Sequence, residues 1–164
     1  AINYISSYAK VKCNNKYDTI VTSAAGAPLD GNFYQTVKGM VTPLEVLKKG
    51  GDLIIIAECS EGLGSKEFVE SQKILLEIGP DDFLQNILKK DFAAIDEWQT
   101  EMEIKSLKKG NIYLYSEGLS DEEKKYTGVN ITNNLQMTIN ESIKRHNNNN
   151  IAIIPEGPYV IPIL

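Results

Sequence analysis

Four short apolar runs punctuate the chain, at residues 19–22, 53–57, 112–115 and 151–154. Each is rich in β-branched or aromatic residues and nearly continuous, where a half-exposed strand would alternate. Such runs predict strands covered on both faces, as in a parallel sheet. Residues 8–12 are a candidate for a further edge strand.

Between these runs the apolar spacing lengthens to three and four. Asp30 is placed to cap a helix running through Met40, with Phe33, Val37 and Met40 on one stripe. Thr42-Pro43-Leu44-Glu45 predicts a second helix: Thr caps, Pro takes the first position, and Glu reaches back to complete a capping box. Gly50 and Gly51 are expected to end it just before the second strand. Residues 65–78 predict a helix burying Phe68, Ile74 and Leu75. Pro80 opens another that carries Phe83, Ile87 and Leu88, and a third spans 92–107. Ser120-Asp121-Glu122-Glu123 is a second capping box. Residues 133–145 predict a helix with Leu135, Ile139 and Ile143 on one face, ended by the asparagine run 147–150.

Strands that alternate with helices imply an α/β fold: a three-layer, Rossmann-like, mostly parallel sheet with helices on both faces. No internal repeat or linker interrupts the pattern, so residues 1–164 read as a single domain. Ligands of such sheets bind beyond the carboxyl ends of the strands. That directs attention to residues 23–32, 58–65, 116–120 and 155–159, which are rich in Gly, Ser, Ala and Pro. Tight strand-to-helix turns need these same residues.

Composition narrows the function. The chain is 42% hydrophobic and 24% charged, in the range of folded globular domains. No run of 18 apolar residues occurs, so no membrane partner is expected. The net charge of −5 argues against nucleic acid as a partner. The N-terminus lacks the basic and apolar regions of a secretory signal, so a cytoplasmic location is expected. Cys13, Cys59 and His146 are too few for a His/Cys metal site. The first residue is Ala1, so a processed form or a fragment is expected. Arg145 is the only arginine, so any grip on an anion within the chain falls mostly to lysine or backbone N–H groups.

Candidate chemistry is sparse. Gly62-Leu63-Gly64 does not extend to a dinucleotide loop, because Glu67 stands where the third glycine should fall. Tyr34, Gln35 and Lys38 share one face of the helix after the first strand, at spacings of three and four. A cation flanked by a phenol and an amide suits a carboxylate, although a solvated helix face has the same spacing. Trp98, the only tryptophan, reads from its type as a core or rim residue. Cys59 reads as a small buried hydrophobe, and His146 as a charge at a helix C-terminus. Glu58 and Glu61 read as a solvated loop pair.

Longer motifs add a family. Gly26-x-Pro28-Leu29-Asp30 leads into Asn32-x-Tyr34-Gln35-x-Val37-Lys38-Gly39-Met40. Ala57-Glu58-Cys59-x-Glu61-Gly62 follows, and Pro155-Glu156-Gly157 closes the chain. Over essentially its whole length the chain resembles the C-terminal domain of the nickel-dependent lactate racemase family. The resemblance implies a two-domain enzyme that interconverts the enantiomers of a small 2-hydroxy acid. It implies a nickel pincer nucleotide held by the N-terminal domain of the same enzyme, with the substrate hydride passing to and from that cofactor. This chain would then close the cleft, hold no cofactor or metal itself, and be inactive alone. The resemblance further implies that Lys38 is the cation for the substrate carboxylate, that Tyr34 and Gln35 are its polar neighbours, and that Trp98 packs near the substrate.

Two other readings fit parts of the sequence. A stand-alone Rossmann-like ligand- or protein-binding module would explain the small-residue loops and the lack of an internal catalytic set. A nicotinamide dehydrogenase is disfavoured by the broken glycine loop.

Overall fold

A computed structural model describes residues 2–164, which form two sheets and six helices. The main sheet has five strands: β2 (Tyr17–Ser23), β3 (Leu47–Ile56), β4 (Asn111–Tyr115), β5 (Asn130–Thr132) and β6 (Ile151–Ile154). All its pairings are parallel, in the order β5-β4-β3-β2-β6. The four predicted strands are therefore all present and lie side by side. The α/β expectation holds.

Register assigns the two faces of the sheet. Ile20, Leu53 and Ile112 are partners, as are Thr22, Ile55 and Leu114. Side chains of paired residues point the same way, so these share one face. Ile20, Leu53, Ile55, Ile112 and Leu114 belong to the main apolar core together with Phe33, Val37 and Met40 of α2 (Phe33–Val41). Gly39 of α2 allows that close fit: a Cβ there would stand 3.1 Å from Ile55 Cδ1 and 3.2 Å from the Ser23 carbonyl. On the opposite face Thr19 meets Ser142 of α6 (Leu135–His146) at 2.7 Å between hydroxyls.

Tertiary pairing overrides several local signals. Thr42–Glu45 is a single 3₁₀ turn, not the start of a long helix. The chain then enters β3 at Leu47, and Tyr17 donates to the Val46 carbonyl at 2.8 Å. Burying Val46 and Leu47 in the core outweighs a four-residue capping signal. Gly50 and Gly51 consequently lie within β3. Asn32, not Asp30, caps α2, its Oδ1 accepting from Gln35 N–H at 3.0 Å. Asp30 instead accepts from the Glu58 N–H at 3.1 Å.

The helices after β3 differ in similar ways. The predicted pair forms α3 (Lys66–Leu88), capped by Ser65 and kinked at Gly79 just before Pro80. Phe68, Leu75 and Phe83 are buried, but Ile74 and Leu88 face outward. Ser71 and Gln72 take the inner positions instead. α4 (Glu97–Lys109) starts later than predicted, which leaves Phe92 exposed. On α6, Leu135, Ile139 and Ile143 are half-buried, and Thr138 and Ser142 are the buried positions. The capping box at Ser120 is present on α5 (Asp121–Lys124), and left-handed Asn147 ends α6.

The candidate edge strand at residues 8–12 contributes only β1 (Lys10–Lys12). It pairs with β7 (Ile161–Ile163) in a separate two-stranded parallel sheet, while Tyr8 belongs to α1 (Ile2–Ala9). No described helix is long and apolar enough to cross a membrane.

Candidate functional site

The loops at the carboxyl ends of the strands turn inward on one another. Cys59 N–H donates to the Asp30 carbonyl at 2.8 Å, Glu61 N–H to Gly31 at 2.7 Å, and Gly118 N–H to Glu58 at 2.9 Å. The sheet order reverses between β2 and β6, where an open α/β sheet has its crevice. Here the turn at residues 155–159 fills that position. Ser23 Oγ donates to the Pro155 carbonyl, and Thr42 Oγ1 donates to the Gly157 carbonyl at 2.6 Å. The small residues of these loops thus serve chain-to-chain packing.

The open polar face lies beside the sheet, on α2 and the start of α4. The Lys38 ammonium donates to Gln35 Oε1 at 2.6 Å and lies 5.3 Å from the centroid of the Tyr34 ring. Tyr34 meets Trp98 edge-to-face, with centroids 6.0 Å apart, and packs on Phe68 in the same manner at 5.2 Å. Tyr34, Gln35, Lys38 and Trp98, separated by up to 64 positions in the chain, therefore form one constellation. Trp98 is no core residue: it stands 47% exposed at the rim. Lys38 is exposed as well.

Local structure holds these groups in place. Tyr34 N–H donates to the Leu63 carbonyl and Phe33 N–H to the Gly62 carbonyl, each at 3.0 Å, tying α2 to the loop after β3. Gly64 makes that approach possible. Its φ is +120°, and a Cβ there would stand 2.8 Å from Tyr34 Cβ. Burial, and then the Asp96 carboxylate, hold the Tyr34 phenol above its ordinary pKa. Its hydroxyl therefore keeps its proton at neutral pH.

Sequence reasoning missed several contributors. Gln99 is buried and donates from Nε2 to the Tyr34 carbonyl at 2.7 Å, locking α4 to α2. Asp96, in a left-handed conformation, precedes α4 and accepts from Ser65 Oγ at 2.5 Å. Lys38, Trp98 and Gln99, with Val41, Thr42 and Met102, line an open depression of about 260 Å³. A buried glutamine after a tryptophan carries no signal in a linear pattern. The helix-to-helix contact alone reveals it.

The other candidates lie elsewhere. Burial raises the Cys59 thiol above its ordinary pKa, with a Thr36 hydroxyl contact at 3.3 Å. It is an inert core group, not a thiolate nucleophile. Glu58 and Glu61 are solvent-exposed. His146 ends α6 as expected, with Nε2 3.1 Å from Asp52 Oδ2. Asp52 is fully buried and also takes Arg145 Nη1 at 2.6 Å, so the single guanidinium is already engaged. Among the described residues no group of three or more His, Cys, Asp or Glu side chains could hold a metal ion. The donor set of the described residues does not fit a nickel site.

Comparison with known proteins agrees with this picture. A lactate racemase from Thermoanaerobacterium thermosaccharolyticum is 32% identical over 162 residues, covering 96% of this chain. A lactate racemase from Lactiplantibacillus plantarum is 34% identical over 67 residues, or 41% of the chain. The solved lactate racemase apoprotein from Thermoanaerobacterium thermosaccharolyticum superposes with a TM-score of 0.85 at 30% identity, covering 98% of this chain. The chain spans 37% of the length of the first relative and 38% of that solved chain, so these relatives are much longer. Residues 12–162 match the lactate racemase C-terminal domain family. The chain therefore belongs to that family.

Proposed function

We propose that residues 1–164 are the C-terminal, cleft-closing domain of a racemase or epimerase acting on a small 2-hydroxy acid. The observation that carries this reading is the Lys38 ammonium set between Gln35 and Tyr34, with Trp98 beside it. Lys38 binds the substrate carboxylate and sets its orientation. Gln35 and the Tyr34 phenol are the polar neighbours of the ammonium, the phenol hydrogen being directed at Asp96. Trp98 forms an aromatic wall that keeps water from the reacting carbon.

In this reading a nickel pincer nucleotide held by a preceding domain would supply the hydride acceptor, the described residues of this chain holding no metal-binding group of their own. The length of the relatives supports such a domain. The test uses the full-length, cofactor-loaded enzyme and a panel of 2-hydroxy acids. Lys38→Ala is expected to abolish most racemisation, and Lys38→Arg to restore part of it. Unchanged kcat/KM for every acid in Lys38→Ala would remove Lys38 from the site.

A further inference from the structure

Helix α1 is poorly explained by the rest of the fold. It has eight residues, with no acidic residue in its first turn and no basic residue in its last. A helix this short is marginal in water without tertiary packing. Its substantial contact within the chain is with β1, which follows it directly. Yet its apolar side chains face solvent: Tyr4 is 67%, Ile5 58% and Tyr8 72% exposed. The spacing i, i+1, i+4 places them on one side, and the two tyrosine rings lie 5.0 Å apart. The family match begins at residue 12, just after α1.

We infer that the Tyr4-Ile5-Tyr8 face of α1 docks on an apolar surface of the preceding domain of the same polypeptide. The proposal rests on the reading above that such a domain is present. Two observations favour that occupant over a second copy of this chain. The family matched is a C-terminal domain whose relatives are nearly three times longer, so on that reading chain of the same molecule is adjacent to α1. A covalent neighbour also meets α1 at high effective concentration, so a patch of three side chains suffices, where a stable dimer needs about 800 Å² per partner. Docked α1 would anchor the connection between the two halves. The β1–β7 pair, extended by Cys13 N–H donating to the Ile163 carbonyl at 2.7 Å, would then follow directly on that connection.

Hydrogen exchange on the full-length protein tests this. The comparison is with the triple variant Tyr4→Ala, Ile5→Ala, Tyr8→Ala. Alanine is the strongest helix former, so the variant removes the docking face without weakening the helix itself. The amides of residues 6–10 are expected to exchange at least tenfold faster in the variant. A peptide of the preceding domain should lose protection with them, while the β3 amides stay unchanged as a check on folding. Equal exchange in the two proteins would overturn the proposal. So would protection that falls on dilution alongside a dimer-to-monomer transition in light scattering, because the occupant would then be a second copy. The readout is independent of activity. A protected α1 in a protein without racemase activity upholds the docking and defeats the functional reading instead.

Discussion

The two ends of the main sheet use charge in opposite ways. At the amino end, Asp52 is fully buried and each of its oxygens has a donor: Arg145 Nη1 at 2.6 Å on Oδ2 and Asn111 Nδ2 at 2.8 Å on Oδ1. Nearby, Asp18 takes Lys48 at 2.8 Å and Asn148 at 2.6 Å, and these two contacts draw its carboxyl below the ordinary range. These pairs tie the end of α6 to β2, β3 and β4. Near the carboxyl end, Lys38 has only a neutral amide and an aromatic face. A buried ion pair serves the fold, whereas an exposed cation held by neutral groups keeps its charge for a ligand.

The largest effect should come from a carboxylate that breaks this division. Glu103 of α4 is fully buried, and its only side-chain donor is Gln72 Nε2 at 2.5 Å. Burial pushes its carboxyl up to about 8, against the lowering effect of that hydrogen bond. Its folded pKa is raised above the unfolded value, so the folded state holds a proton that the unfolded state has lost. The stability it permits is complete below pH 4.5, and is lost as the pH rises through about 8. That shift corresponds to roughly 5 kcal/mol over the window. Urea unfolding at pH 5, 7 and 9 should show this loss in the parent chain, and Glu103→Gln should flatten it.

Breaking the amino-end network comes next. Asp52→Ala leaves Arg145 without its carboxylate. Loss of a buried partner typically costs 3–5 kcal/mol, but Arg145 is 44% exposed and can regain water. A loss of about 2–3 kcal/mol is expected in urea unfolding, whereas Lys38→Ala should change stability by less than about 0.5 kcal/mol. A large stability loss in Lys38→Ala would erase the contrast between the two ends.

In the loaded full-length enzyme the ranking should invert. Lys38→Ala is expected to lower kcat/KM by about 100-fold, equivalent to about 3 kcal/mol. Trp98→Ala should cost less, about tenfold, chiefly as faster loss of bound substrate in stopped-flow exchange. The smallest effect expected is at Ser120, whose hydroxyl and Glu123 form the capping box of α5. Ser120→Ala should cost about 1 kcal/mol of stability and leave both ends of the sheet functioning as before.

Much of this organisation is legible along the chain, but unevenly. The strands at residues 19–22, 53–57, 112–115 and 151–154 are readable from their near-continuous apolar runs, although Ile153 on the edge strand β6 is 66% exposed. The edge strand β5 is only three residues long and none of them is fully buried, so its pattern is faint. The interface of α3 with α4 is invisible for the opposite reason. Gln72, Thr100 and Glu103 are buried polar residues, with Gln72 Nε2 donating to the other two, and a hydrophobic pattern assigns them to the surface. At the candidate site, Tyr34, Gln35 and Lys38 are visible as one helix face because a helix alone sets their spacing. Gln99, Asp96 and Met102 join them only through the packing of α4 on α2.

The sequence by itself determined four of the five main-sheet strands, the alternating α/β order, and the family through its Pro28-Leu29-Asp30 to Lys38-Gly39-Met40 block. These depend on local geometry and on residues close together in the chain. Only the tertiary structure decided that 47–51 would be strand instead of helix, because pairing with β2 buries Val46 and Leu47. It also decided that the crevice between β2 and β6 would be filled by the turn at 155–159, and that Trp98 would stand at the rim beside Tyr34. Contacts across 64 residues are set by how helices pack on a shared sheet, and no local preference encodes that packing.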